Sequence, residues 1–373
     1  MLSLILLLCL AFTSLLTRQT SVLAQTPFGL TANDTQGISG VGSFKLQWRQ
    51  PFPFQIGVEP IGSASDDGSL WLITDPGPGR PERYVTHISQ TGQISAKYDL
   101  AFPLKPSELV SYLSMSNSGT SVALLASTVS GGAKQIVESL LFLPVLRDGP
   151  GPTRRVAGRG PQFSTLNGNG KGQFISAGDE GPLTLLKLGA DGSLIWRRSF
   201  SKDLVRPTVA VGATGNIFLL SQGKSYLSLQ KLDETGRLLS SQQISAKQGT
   251  LIADANGGCT VLFSRGTGAK EGRVYLTSFD RTMHRSDDVE TPLHAWVGQT
   301  YEVISTPQGH LAIGEGPEEG QQVAVEFNGS SKLLWQREMP RNLTSNLMSF
   351  TTGFYVVTDT NEGTETIVEK YGY

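Results

Sequence analysis

Residues 183–196 read LTLLKLGADGSLIW, which is an apolar stretch, a turn at Asp191-Gly192 and a second apolar stretch that ends in Trp196. An Asp-Gly pair tolerates the positive φ angle of the tight turns that connect antiparallel strands. These residues therefore predict a β-hairpin. The run QFIS at residues 173–176, directly after Gly172, predicts a further strand before the hairpin.

The same unit recurs along the chain. Residues 216–240 and 310–335 repeat it closely, and looser copies follow other glycines. The glycines that open the copies are Gly68, Gly119, Gly172, Gly215, Gly258, Gly309 and Gly353. Their spacing of about 43 to 53 residues is the length of one four-stranded blade of a β-propeller. The sequence therefore predicts an all-β protein, a seven-bladed β-propeller of four-stranded antiparallel blades.

The two ends of the chain complement each other. The last copy ends without a Trp-bearing strand, whereas residues 46–52, LQWRQPF, match LIWRRSF at 194–200 and LLWQREM at 333–339. We therefore predict that the N-terminal strand completes the C-terminal blade and closes the ring, which removes an exposed strand edge. Trp48, Trp196 and Trp335 occupy equivalent repeat positions, which predicts packing between blades in preference to carbohydrate stacking.

The first residues predict export. Residues 2–16 are apolar except for Ser3, Thr13 and Ser14, and they are shorter than the ~20 residues of a membrane-spanning helix. Small residues lead to a predicted cleavage site after Ala24. We predict a signal peptide at 1–24, a flexible lead-in at 25–41, one propeller domain at 42–373, and a secreted, periplasmic or cell-envelope location. No positive charge precedes the apolar stretch, so an uncleaved anchor remains an alternative.

The composition limits the classes of partner that we expect for this chain. Charged residues make up 17% of the chain, with 31 basic and 32 acidic residues. Cleavage would remove Arg18 and leave 30 basic and 32 acidic residues, a charge of −2. This balance predicts no nucleic-acid partner and no anionic membrane surface. Only Cys259 would remain, within the apolar strand pattern GGCTVLF, so we expect a buried side chain and no internal disulfide.

The unit at residues 187–196, KLGADGSLIW, resembles the repeat of pyrroloquinoline-quinone-type propellers, and KLDETGRLL at 231–239 is similar, with Ser240 in place of Trp. The stretch DDGSLWLI at 66–73 instead resembles repeats of NHL and lyase-type propellers. These resemblances imply the fold. Quinone-dependent members commonly carry vicinal cysteines over the cofactor, which one mature cysteine cannot supply, so we expect no cofactor.

Recognisable catalytic motifs are missing from the sequence. The histidines His87, His284, His294 and His310 show no metal-ligand spacing, and no nucleophile elbow or phosphate-binding loop occurs. We interpret His87 and His310 as structural. The acid pairs at 66–67 and 287–288 are interpreted as turn residues, because adjacent strand residues point to opposite faces. We predict no catalytic residue and no metal site.

Loops must then carry any function, because propellers bind ligands where loops converge. A predicted basic sector comprises Arg80, Arg83, Arg154, Arg155, Arg159, Lys202 and Arg206. Later repeats supply an acidic sector, Glu315, Glu318, Glu319 and Glu362. The basic sector is our candidate site for an anionic glycan or a partner protein. Ordinary solvated loop charge is the alternative interpretation.

The leading hypothesis is an exported, non-enzymatic β-propeller that acts as a binding or assembly module, and we expect a monomer. The alternative is a secreted propeller enzyme, a glycan hydrolase, a lyase or a quinone-linked dehydrogenase, whose site combines residues of several blades. A third possibility is a packing role within an envelope complex.

Overall fold

Strands form the secondary structure of the chain in the computed structural model, and the described residues contain no helix. The structure describes residues 40–41, 44–54, 61–74, 83–106, 108–118, 121–130, 137–146, 149–157, 163–178, 183–201, 203–212, 214–254, 256–265, 272–295, 302–306, 308–318, 321–339, 346–350, 352–359 and 365–372. The predicted signal peptide and most of the predicted lead-in lie outside these residues. Within them, no helix is long and apolar enough to span a membrane.

The first described strands are β1 (Gly40–Val41), at the end of the predicted lead-in, and β2 (Phe44–Phe52). Sheet A then contains β3 (Gly62–Ala64), β4 (Leu70–Thr74), β5 (Tyr84–Ile88) and β6 (Ile94–Asp99). Sheet B contains β7 (Glu108–Ser118), β8 (Ser121–Ser130) and β9 (Val137–Leu146), with β10 (Gly149–Pro150) and β11 (Arg154–Ala157) both paired to β9. Sheet C contains β12 (Phe163–Gly168), β13 (Phe174–Gly178), β14 (Thr184–Leu188) and β15 (Leu194–Ser199).

The later strands continue the same antiparallel pattern. Sheet D contains β16 (Val205–Val211), β17 (Ile217–Gln222), β18 (Leu227–Leu232) and β19 (Leu238–Ile244). Sheet E contains β20 (Gln248–Ala253), β21 (Cys259–Arg265), β22 (Gly272–Phe279) and β23 (Val289–Ala295). Sheet F contains β24 (Glu302–Thr306), β25 (Gly309–Glu315), β26 (Gln322–Asn328) and β27 (Leu333–Met339). One residue pair, His294 opposite Glu315, joins sheets E and F.

Sheet G combines the two ends of the described chain. It contains β28 (Asn346–Phe350), β29 (Gly353–Asp359) and β30 (Thr366–Gly372), and β2 and β1 complete it. β2 pairs with β30 from Lys45 opposite Gly372 to Phe52 opposite Thr366. The N-terminal strand is therefore hydrogen-bonded along the C-terminal strand.

Apolar side chains fill the spaces between successive sheets. The buried clusters each join two sheets, A with B, B with C, C with D, D with E, E with F, and G with A. The first strands of successive sheets are also in contact, from β3 through β7, β12, β16, β20 and β24 to β28, and β28 contacts β3. Cys259 is fully buried in the cluster between D and E, as predicted, and burial raises the pKa of its thiol.

Two of the repeat tryptophans bridge neighbouring sheets, as predicted. Trp48 Nε1 donates to the carbonyl oxygen of Gln90, in the turn before β6, at 2.9 Å. Trp196 Nε1 donates to the equivalent carbonyl of Glu234 at 3.1 Å. Each carbonyl also accepts a hydrogen bond from a buried lysine, Lys370 Nζ at 3.0 Å and Lys187 Nζ at 2.9 Å respectively. The third and fourth strands of one sheet thus hold the same turn of the next sheet.

The turn under each tryptophan requires glycine. Gly236 has φ +79°, and an added Cβ would lie 3.2 Å from the Trp196 ring. The corresponding residue in sheet E is Met283, with φ 67°, and its side chain is buried in the cluster between D and E. There the tryptophan position is occupied by Ser240, opposite Lys231. Where the strand of sheet D carries the small Ser240, the turn of sheet E carries the large Met283. Met283 then has a left-handed backbone conformation, which is unfavourable for residues other than glycine.

Candidate functional site

Of the predicted basic sector, the structure describes Arg83, Arg154, Arg155 and Arg206. Arg80, Arg159 and Lys202 lie outside the described residues. Arg83 directly precedes β5, and Arg206 lies in β16 with φ 51°; both are exposed. Arg154 and Arg155 belong to strand β11, not to a loop. Alternate strand residues point to opposite faces, so these two adjacent arginines do not form one patch.

Arg155 is paired with an acid of its own sheet B. Its Nη1 and Nη2 lie 3.1 Å and 2.8 Å from the two carboxylate oxygens of Glu108, whose side chain is only 3% exposed. Arg155 also donates to the Pro103 carbonyl at 3.1 Å. The hydrogen bond from Arg155 lowers the pKa of Glu108 from 4.5 to about 2. Arg155 therefore links strand β11 to the first residue of β7 and to Pro103 in the segment before it.

Arg154 has a different acid partner. Its Nη2 lies 3.0 Å from Oδ2 of Asp191, in the turn before β15 of sheet C. Both side chains are more than half exposed, so the pair contributes little to stability. In the predicted acidic sector, Glu315 is buried at the end of β25 and Glu318 is exposed, while Glu319 and Glu362 lie outside the described residues. Glu315 is therefore a sheet residue opposite His294, not a loop charge.

Sheet E carries an open group of charged and aromatic side chains that sequence reasoning did not single out. We call it the Arg265 cluster. It consists of Arg265, Arg273, Arg285, Tyr275, Asp288 and Glu290. The register of β21, β22 and β23 places Arg265 opposite Arg273 and Tyr275 opposite Glu290. Residues two apart on a strand share a face, so the hairpin brings its two arginines beside the tyrosine.

Aromatic rings support Arg265. Its Cζ lies 5.1 Å from the ring centre of Phe263 and 4.9 Å from that of Tyr275. The two rings are stacked, with centres 5.9 Å apart. A guanidinium over aromatic faces is attracted by their quadrupoles and is fixed in orientation. The Arg265 side chain nevertheless remains 40% exposed.

Asp288 holds two arginines of the cluster. Arg265 Nη2 donates to Oδ2, and Arg285 Nη2 donates to Oδ1 at 2.7 Å. Burial acts to raise the pKa of Asp288, but the hydrogen bonds from Arg285 and Arg265 outweigh it and lower this pKa below its usual value. Asp288 lies in the segment that connects β22 to β23, and its carboxylate also binds guanidinium groups. Asp67, by contrast, accepts from the backbone N–H and the hydroxyl of Ser69, as a turn acid does.

Arg273 and Glu290 form the loosest contact in the cluster. Arg273 Nη1 lies 3.5 Å from Glu290 Oε1, and both side chains are more than half exposed. Tyr275 Oη lies 3.4 Å from Glu290 Oε2. Arg273 Nη1 is also 3.3 Å from Nε2 of the buried His294. The cluster has three arginines against two carboxylates, so it has a formal charge of +1.

The predicted structural histidines are in structural contacts. His310 is buried, and its Nε2 lies 3.0 Å from Thr260 Oγ1 and 3.2 Å from Asp254 Oδ1. His87 stacks on Trp71 with ring centres 4.1 Å apart, and its Nδ1 is hydrogen-bonded to Ser95 Oγ. Among the described residues, no group of three histidine, cysteine or acidic side chains is arranged to hold a metal ion.

The comparisons with known proteins show the fold. No family model and no curated protein matches the chain. Virginiamycin B lyase from Staphylococcus aureus superposes with a TM-score of 0.54 at 11% identity, over 88% of this chain and 99% of the lyase. The Neurospora crassa Pan2 WD40 domain gives 0.51 at 15% identity, over 88% and 95%.

A structure of YCF48 bound to a D1 peptide gives a TM-score of 0.52 at 11% identity, over 87% of this chain and 97% of that one. The antiparallel sheets and these neighbours together show a β-propeller fold. At such low identities the likeness extends to the fold alone, so the site must be judged from its own residues.

Proposed function

We propose that sheets A to G are the seven blades of a closed ring, and that the chain is an exported β-propeller with a non-enzymatic binding role. The contacts of successive first strands, including β28 with β3, support the ring. The pairing of β2 with β30 supports closure by the N-terminal strand. The apolar residues 2–16 and the small residues before position 25 support export.

The proposed ligand is an acidic segment of a partner protein, bound at the Arg265 cluster. The observation that carries this proposal is the half-exposed Arg265 guanidinium, fixed by two aromatic rings with Arg273 and Arg285 beside it. Arginine and tyrosine are enriched among residues that dominate binding energies. A rigid guanidinium also loses little freedom when it binds.

The cluster already binds a carboxylate group of this chain. Asp288 binds to Arg265 and Arg285 through its two oxygens. Arg273 is the more available group, because its contact with Glu290 is long and exposed. A carboxylate of the partner would displace Glu290 and bind Arg273 through two parallel N–H donors, the geometry that guanidinium favours.

The enzyme alternative would draw on His294, Glu315 and Arg273. These residues bring an acid, a histidine and an arginine together. His294, however, lies on β23, the fourth strand of its sheet, and not on a first strand. None of these three residues therefore lies on a first strand that would surround an axial channel, and binding is the better-supported function.

The test measures binding of a fluorescein-labelled oligoglutamate peptide by anisotropy. We expect Arg265→Met and Arg273→Met each to weaken binding at least about tenfold. Arg237→Met is the matched control, because it removes an exposed arginine paired with Asp233 in sheet D. Equal losses in all three variants would indicate unspecific charge attraction and contradict the proposal. Preference for a sulfated glycan over the peptide would instead identify a glycan as the ligand class.

A further inference from the structure

The outermost strands of the sheets differ in how their open edges are protected. An edge strand presents unpaired backbone N–H and C=O groups, and proteins usually guard it with charges, proline or a covering strand. Most described edges carry such guards, which are Lys97 and Asp99 in β6, Pro150 in β10, Arg197 and Arg198 in β15, Glu290 and Pro292 in β23, Arg337 and Glu338 in β27, and Pro51 with the covering β1 in β2.

Strand β19 has none of these guards. Its seven residues read LLSSQQI, with no charge and no proline, and among the described strands β18 is its one hydrogen-bonded neighbour. A register shift affects its first two residues, but from Ser240 to Ile244 the pairing with β18 is regular. Leu238 and Leu239 are 52% and 46% exposed. The strand is therefore a regular, uncharged edge with an aliphatic end.

We propose that β19 is an interaction edge, and that its occupant is β19 of a second copy of this chain, paired antiparallel across a two-fold axis. The axis passes through Ser241. Ser240 then faces Gln242 of the other copy, and Leu238 faces its Ile244. Closed pairs with two-fold symmetry use the same surface on both copies, so the strand must be complementary to itself.

The sequence of β19 meets that requirement. Self-pairing brings hydroxyl and amide groups together at the centre, places Leu238 opposite the buried Ile244 at both ends, and brings no like charges face to face. The equivalent pairing of β15 would bring the two arginines of each copy together, and like charges directly opposite are destabilising. Charge therefore selects β19, among the described edges, for self-association.

The neighbouring sheet contacts one face of this strand. Gln242 points towards sheet E, where its Nε2 lies 3.4 Å from the Met283 carbonyl. The other face of the strand, with Leu239, Ser241 and Gln243, is exposed. Added strands gain their affinity mainly from main-chain hydrogen bonds, and one strand pair buries less than the ~1,200 Å² of a standard interface. We therefore expect a weak, concentration-dependent dimer in place of the monomer expected from sequence.

Sedimentation velocity of the full chain, from about 1 μM to about 1 mM, tests the proposal. We expect the wild type to dimerise, and Ser241→Lys and Ser241→Asp each to weaken dimerisation at least about tenfold, since like charges then meet at the axis. A mixture of the two variants should recover the dimer, because lysine then faces aspartate. This recovery also shows that both variants are folded.

Gln336→Lys is the matched control, because Gln336 is an exposed residue at the middle of β27 on another edge. It should leave the dimer unchanged. A wild type that stays monomeric up to the highest concentration would overturn the proposal. So would a dimer that persists in Ser241→Lys, since it must use another surface. Capture of an added extended peptide by a monomeric chain would assign the edge to a foreign strand instead.

Discussion

Two sites of this molecule are both built from arginine and carboxylate side chains, but they differ in how exposed those side chains are. In sheet B, one guanidinium, Arg155, meets one buried carboxylate, Glu108, through two hydrogen bonds. In sheet E, one carboxylate, Asp288, is shared by Arg265 and Arg285. In the first site the carboxylate is buried, with Lys105 Nζ also 3.9 Å from it, whereas in the second the shared carboxylate and its arginines are all partly exposed. Burial of the acid, more than the presence of arginine, separates the structural pair from the proposed binding site.

The largest expected effect is on stability. Arg155→Met leaves the Glu108 carboxylate, 3% exposed, without its guanidinium, and a buried charge that loses its partner is costly. We expect the free energy of unfolding to fall by about 2–3 kcal/mol. Arg265→Met should cost less than about 1 kcal/mol, because its pair is partly exposed. Urea denaturation of both variants measures the difference, and equal losses would contradict the contrast between the sites.

The second effect is on pH dependence. The pKa of Glu108 is lowered from 4.5 to about 2 in the folded state. A lowered acid pKa stabilises the fold fully above the unfolded value, and this stabilisation is lost as pH falls from 4.5 towards 2. We expect Glu108→Gln to flatten the acid side of the stability profile. Denaturation measured between about pH 2 and pH 6 tests this, and an unchanged acid slope would show that other carboxylates dominate.

The third effect concerns binding. Asp288→Asn removes a negative charge from the Arg265 cluster, so its formal charge rises from +1 to +2. We expect tighter oligoglutamate binding, by about threefold or more, with a stability loss of about 1 kcal/mol. Asp191→Asn is the control, because it breaks the exposed pair with Arg154 in another sheet. Unchanged affinity in Asp288→Asn would place the binding site away from Asp288.

Much of the fold follows from the sequence because its determinants are local. The Asp191-Gly192 turn, the glycine spacing and the repeat tryptophans all lie within units of one sheet. Met283 and Ser331 break the pattern, since each occupies a left-handed position that glycine would normally take. Met283 is explained by its packing between sheets D and E, and Ser331 by a 2.9 Å hydrogen bond to Ser278 Oγ. Contacts between sheets such as these cannot be recognised from a short stretch of sequence.

The sites were harder to predict for the same reason. Arg155 finds Glu108 47 residues earlier, and nothing near either residue indicates the pair. Arg265 and Arg273 flank a glycine-containing hairpin loop, and this spacing was the available signal for the Arg265 cluster. This spacing predicts the cluster only when the register of β21 with β22 is known, because that register places Arg265 opposite Arg273. A count of charged residues in predicted loops could not distinguish arginines that form ion pairs from arginines that are open to a ligand.

The smallest effect distinguishes the two roles of Tyr275. Its hydroxyl is 3.4 Å from Glu290, so Tyr275→Phe should cost less than about 0.5 kcal/mol and leave peptide affinity unchanged. Tyr275→Leu keeps apolar bulk but removes the aromatic face beneath Arg265, an interaction that contributes about 0.5–1 kcal/mol at exposed sites. We expect its peptide affinity to fall about two- to fivefold. If the phenylalanine and leucine variants bind equally well, the ring does not orient Arg265, and the open site in sheet E would differ from the site in sheet B by the exposure of its acid and not by a fixed guanidinium.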